Sequence, residues 1–431
     1  MYNWTFHVLG PRWSFFVGLC AWLPGILSMV NACAAVVALL QALNPTWFPL
    51  PWQQGCVIAC VLLLTWALSM QRTRAVQHVL NVAVGAMGGA TLFLAAAMAV
   101  WLLKGHPSAT MLVDASGWRV VLGPQGNLAL LGSATLALLG SDMPLSLTGE
   151  TKTRKSIPRH LVWGTLLTLG GYIVFTFGVL VIQGAGVAQQ TINPMVLLIG
   201  TIDRVFGSAM GGVMAFCLLL YFMMIPVALN VCFSRLLVVS ALHQQISMRL
   251  AQVTRHRVPA TALGTQVVFG LLATALIYMV VPLFNLKQSA DLSNIMYNVL
   301  GAGLLLVWII SFLFPFLLLA ILAGRQGKAF RRTCVIPFPI LVISMITGPL
   351  LCMLTFVTTL TNSFIPSLLP NATWGWIVGA VASGSLIIAA ICSMLSNSEA
   401  KWEALQEQQA EMLARPNVPA TLEAQHQSKG F

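Results

Sequence analysis

Charge is what this sequence has least of. Only 7% of its 431 residues are Asp, Glu, Lys or Arg, whereas about a quarter are charged in an ordinary soluble domain. A chain of this length cannot cover a globular surface with so few polar groups, so a water-soluble fold is excluded. Acids are scarcer still, ten against 22 Lys and Arg. The signatures of common enzymes are missing too. There is no G-x-x-x-x-G-K-[ST], no H-E-x-x-H and no G-x-S-x-G, so phosphate-loop, zinc-protease and serine-hydrolase chemistry lack their residues. The nine cysteines sit in or beside apolar runs and make no C-x-x-C pair. Cys56 and Cys60 share a helix face, but no His joins them at ligand spacing. They read as small apolar helix residues, and neither a metal nor a cofactor is expected. Met1 to Trp13 lacks the basic start and apolar core of a cleavable leader.

What is present is apolar length. Hydrophobic residues make up 58% of the chain and the mean hydropathy is +0.87. The apolar runs reach about twenty residues, the length a helix needs to cross a bilayer, and they do not alternate as barrel strands do. Helices satisfy their own backbone hydrogen bonds in lipid. About ten are predicted, at roughly 15–43, 54–70, 76–103, 128–148, 161–183, 208–237, 259–284, 292–323, 336–360 and 374–395. The fold class is an all-α polytopic membrane protein. Breakers mark the connections, as at Asn44-Pro45, Gly105-His106-Pro107 and Asn193-Pro194.

Lys and Arg divide by side. If the N-terminus is cytoplasmic, all but four of the 22 fall on the inner side, and only Lys104, Arg119, Arg204 and Lys287 fall outside. That is the positive-inside pattern of a plasma or inner membrane protein with both termini cytoplasmic. It turns the net charge of +12 toward anionic lipid rather than nucleic acid. The membrane domain is expected over 1–396. The tail, 397–431, holds half of the acids, including Glu399, Glu403, Glu407 and Glu411. It reads as one short amphipathic helix around Trp402, Leu405 and Met412, then as disorder.

One carboxylate lies within an apolar span. Leu138-Leu139-Gly140-Ser141-Asp142-Met143-Pro144 places Asp142 where a charge costs several kcal/mol and marks a functional hypothesis. Gly140 and Pro144 both weaken the helix there. A broken span exposes backbone groups that only a cavity tolerates, as in the midplane sites of transporters. The competing reading is a packing kink with a partly protonated Asp.

Four stretches resemble the amino acid–polyamine–organocation superfamily, in particular its amino acid permeases. They are Leu9-Gly10-Pro11-Arg12-Trp13 with Trp22; Gly140-Ser141-Asp142 with Glu150, Lys152 and Ile157-Pro158-Arg159; Ser234-Arg235-Leu236-Leu237 with Val258-Pro259; and Arg332 with Ile336-Pro337. The resemblance covers Tyr2 to about Leu395. It implies a five-plus-five inverted-repeat fold, with this chain corresponding to family helices three to twelve and thus truncated at its N-terminus. It also implies a substrate held by unwound helix segments. Gly140 and Ser141 would lie at such a break, with Asp142 where the family often has Glu. The aromatic gate one turn earlier is Leu136 here. No Lys occurs within 76–103, and the Asp-Gly usual after the Ser-Arg motif is replaced near His243-Gln244-Gln245.

The implied function is secondary transport of amino acids or related amines across the cytoplasmic membrane by symport or antiport, coupled to protons or to no ion, and not enzymatic. The truncated chain is expected to lack half of the site, so inactivity is part of that expectation. The alternative is a non-transporting remnant or sensor that keeps the permease scaffold. Expected substrate-binding residues are Gly140, Ser141, Asp142, Trp22, Tyr297 and Asn298. Asn31, Asn81 and Asn230 are the other polar residues inside spans, where such side chains often simply hydrogen-bond between helices.

Overall fold

The computed structural model describes residues 2–111, 131–138, 140, 156–190, 193–254, 258–280, 282, 289–327, 330, 337–366 and 368–414. Among them the chain is helical, with no strand. In order, the helices are α1 (Tyr2–Leu9), α2 (Pro11–Leu43), α3 (Pro51–Ser69), α4 (Thr73–Leu103), α5 (Leu131–Leu138), α6 (Ser156–Ile182), α7 (Ala185–Gln190) and α8 (Pro194–Phe206). Then come α9 (Ser208–Leu242), α10 (Ala260–Ala275), α11 (Ser289–Gln326), α12 (Phe338–Thr361) and α13 (Asn371–Ala414). Nine are long and apolar enough to cross a membrane. They coincide with nine of the ten predicted spans. The tenth, 128–148, is described only over α5 and Gly140. The final helix runs past residue 396 to Ala414 without a backbone break.

α2 is the centre of the bundle. Val17, Cys20, Met29, Val30, Cys33, Val37 and Leu39 on it are completely buried. It packs on α9 and α11, with α3, α10 and α13 around it. Small residues let the helices approach, as expected where lipid supplies no hydrophobic drive between them. A Cβ on Gly25 would meet the Phe233 ring at 2.6 Å, and one on Gly55 would meet Tyr278 at 2.8 Å. Pro24, Pro226 and Pro315 lie inside α2, α9 and α11, each depriving a carbonyl four residues earlier of its donor. α10 widens into a π-turn over Leu276–Val280. At the rim, Leu92 of α4, Leu167 of α6 and Leu350 of α12 project outward with more than 60% of their surface exposed. Such apolar faces belong in lipid.

The two ends of the bundle differ. At the end bearing Arg12, Arg72, Arg74 and Arg235, α1 lies across α2 and α11. Its Phe6 and Tyr2 rings stack on His243 at 4.4 and 5.4 Å. Ser393 donates to the Arg12 carbonyl (3.0 Å) and Ser396 to Gln245 Oε1 (3.2 Å), tying α13 to the same end. At the other end, α8 buries Met195, Ile199 and Ile202, one helical face at i, i+4 and i+7. Asn193 caps it by accepting from the Met195 amide (3.0 Å), and its side-chain amide donates to the Ala38 carbonyl of α2 (2.8 Å). Arg204 lies over the Trp101 ring at 5.1 Å and donates to the Ile182 carbonyl at 2.9 Å.

Candidate functional site at the end of α5

Leu131–Leu138 contains good helix formers, yet the described helix stops after eight residues. Gly140 follows with φ +93°, a left-handed conformation that glycine adopts without a Cβ penalty and that an α-helix cannot contain. The backbone therefore leaves the helix at the place where Gly140 predicts a break. Ser141, Asp142 and Pro144 lie outside the described residues.

Three contacts hold this short helix. Gly132 abuts the Thr359 hydroxyl and the Phe364 ring, leaving no room for a Cβ. The Thr135 hydroxyl donates to the Leu131 carbonyl (2.8 Å) and lies 3.3 Å from that of Thr355. Both tie α5 to α12 and the loop after it. On α6, the Tyr172 hydroxyl donates to the Ala137 carbonyl at 2.7 Å. The last four carbonyls of a helix have no intrahelical donor, and Tyr172 satisfies one of them.

One turn on from Gly132, Leu136 turns α5 toward α11. The Leu136 side chain reaches within 2.9 Å of where a Gly301 Cβ would sit, and the Asn31 amide nitrogen lies 3.8 Å from the same point. Asn31 Oδ1 is buried without a hydrogen-bond partner. Tyr297 is one turn before Gly301 on the same face of α11, half-buried and packed between the two larger apolar clusters of the core. Asn298 is its chain neighbour. Tyr221 of α9 and Tyr297 both lie near enough to Tyr172 to interact with it electrostatically.

Of the residues predicted from sequence, Gly140 and Tyr297 thus lie around the end of α5, with Asn298 next to Tyr297. Trp22 lies elsewhere. It is nine residues from Asn31 on α2, roughly 13 Å along the axis and half a revolution around it. It packs edge-on against Phe269 of α10, with ring centroids 5.6 Å apart. Tyr172 and Tyr221 were not anticipated. A hydroxyl in a long apolar run was the available signal, and it says nothing of which helices meet.

A helix end marked by a left-handed Gly140, with the Tyr172 hydroxyl of α6 on its Ala137 carbonyl and Asn31 of α2 near the Leu136–Gly301 contact, is an arrangement suited to a small polar solute. A family model described as amino acid permease matches residues 1–399. The chain belongs to the amino acid permease family. A comparison with curated proteins finds no match. The permease is accordingly a multi-pass membrane protein of a family that transports amino acids, and its family points to transport rather than to enzymatic turnover.

Proposed function

We propose that this permease is a secondary transporter of amino acids or related amines in the cell membrane, with recognition at the end of α5. The observation that carries the reading is the helix end itself: α5 runs to Leu138 and Gly140 follows in a left-handed conformation, while Leu136, one turn earlier, meets Gly301 of α11 near Asn31, whose Oδ1 is unpartnered. A helix C-terminus carries roughly half a negative charge, so its free carbonyls suit a substrate ammonium, and Asn31 Oδ1 adds an acceptor. Tyr297 and Asn298 of α11 would border the solute. Ser141 and Asp142 continue the chain from the break, and Asp142 would supply a carboxylate for the ammonium or for a coupled proton. Trp22 belongs to the α2–α10 packing and stands outside this group. The permease domain is taken as 1–396, with 397–431 as a tail.

Positive-inside partition supports cytoplasmic termini. A cysteine placed at Lys104 should then react with an impermeant thiol reagent in intact cells, and one at Arg72 only after permeabilisation. The opposite pattern would reverse the orientation. For transport, the purified chain is reconstituted and its uptake of pooled labelled amino acids measured. The proposal expects saturable flux, against the inactivity that the truncated-chain reading gives, and expects it to be abolished by Gly140→Val, which places a β-branched residue at a left-handed position. A folded, reconstituted protein without saturable flux would overturn the proposal in favour of a non-transporting scaffold.

A further inference from the structure

A cleft of about 610 Å³, counting its open mouth, lies far from the α5 junction, between the end of α3, the start of α4, the second half of α9 and the start of α10. Its lining is graded. At the basic end of the bundle it is polar, with Ser69, Thr73 and Arg235; deeper in it is mainly apolar, with Val76, Leu80 and Val231 beside Gln77. The order follows from helix periodicity. Thr73, Val76 and Leu80 share one face of α4, and Arg235 and Val231 share one face of α9. The change from polar to apolar takes about 10 Å along α4.

Several features of the polar end favour an anion. Arg235 supplies a permanent positive charge, Arg72 and Arg74 flank the lining residue Thr73 in sequence, and no carboxylate lines the cleft among the described residues. Two helices, α4 and α10, begin at it, and neither has a side-chain cap, so both present the positive end of their dipoles. Independently of these, Ser69 is 2% exposed and its hydroxyl is buried with no hydrogen-bond partner. A buried unpaired hydroxyl is disfavoured, and this one sits in the wall of the cleft.

We propose that this cleft binds an anionic phospholipid. The phosphate takes Arg235, Ser69 and the first turns of α4 and α10, and an acyl chain runs down Val76, Leu80 and Val231. The gradient selects an amphiphile over a free anion, since phosphate alone would leave the apolar floor empty. Basic pockets between helices at the cytoplasmic surface are suited to lipid headgroups.

The test uses the full-length chain in a neutral detergent, titrated with phosphatidylglycerol, phosphatidylcholine or inorganic phosphate. Bound lipid is counted by native mass spectrometry, and folding is checked by circular dichroism. Phosphatidylglycerol should bind in preference to phosphatidylcholine. Arg235→Gln should weaken it by about ten- to a hundredfold, as for loss of a charge-assisted contact. Ser69→Ala should weaken it less, and Leu80→Trp should block it from the apolar side. Lys104→Gln, at the other end of the bundle, should leave it unchanged. Should Arg235→Gln not fold, Ser69→Ala and Leu80→Trp decide. Equal binding of the two lipids, or preference unaltered in every folded cleft variant, would overturn the proposal. So would inorganic phosphate displacing phosphatidylglycerol from the wild type.

Discussion

α2 and α6 are equally apolar over their most hydrophobic membrane-length windows, yet 56% of that window is buried in α2 and 17% in α6. Their glycines tell the same story. Gly18 and Gly25 of α2 face Tyr2 and Phe233 at distances that exclude a side chain without adjustment, whereas three of the four glycines of α6, Gly164, Gly170 and Gly171, have no neighbour within 4 Å and only Gly178 meets a partner, Leu94 of α4. Hydropathy thus reports that a helix is out of water but not whether it faces protein or lipid, since both surroundings are apolar. The distinction lies in which small residues meet a partner. Between these extremes sits α5, held by one hydrogen bond from the lipid-facing α6 and by close packing against α11 and α12.

The largest expected effect separates the two regions directly. Gly25→Leu must force a side chain into the Phe233 ring and should destabilise the protein by about 3 kcal/mol or more, read as a lowered unfolding midpoint in detergent. A silent Gly25→Leu would mean that α2 and α9 are not packed as described.

A second prediction sets stability against binding. Asn31 Oδ1 is buried and unpaired, so Asn31→Leu should leave stability unchanged or raise it by about 1 kcal/mol while lowering amino acid affinity about tenfold. Thermal unfolding and equilibrium binding on the same preparation check both arms. A loss of stability with affinity retained would make Asn31 a structural residue.

The sequence revealed much of the scaffold and less of the site, for physical reasons visible in particular residues. Nine predicted spans matched because about twenty apolar residues have few alternatives to a helix in a bilayer. Gly140 marked a break because its effect is local. α8 escapes the span pattern, although Asn193 and Pro194 are an N-cap and first-turn pair; at 13 residues it is too short to cross a bilayer, and one apolar face over so short a stretch does not stand out beside membrane-length runs. Tyr172 was missed because its role depends on α6 lying beside α5, a contact that periodicity within either segment does not encode. Trp22 was singled out as an aromatic in the right helix, but its face of α2 turns toward α10.

Smaller changes sharpen the comparison at the rim. Tyr172→Phe removes the donor to the Ala137 carbonyl and should cost about 1 kcal/mol, with slower amino acid flux. An unchanged flux and midpoint would show that this hydrogen bond does not position the end of α5. Gly170→Leu should shift stability by no more than about 0.5 kcal/mol, because nothing lies over it. A large loss in the reconstituted protein would show that this face of α6 is covered in the membrane.

The most direct test of the account asks whether an amino acid reaches the end of α5. In a background with the native cysteines replaced, Leu136→Cys is exposed to a small thiol reagent with and without a transported amino acid. Phe269→Cys, on α10 beside Trp22, serves as the reference. Bound substrate should slow labelling at position 136 several-fold and leave position 269 unchanged. Equal protection at both positions, or none at 136 under conditions where flux is saturated, would contradict a site built on the break at Gly140.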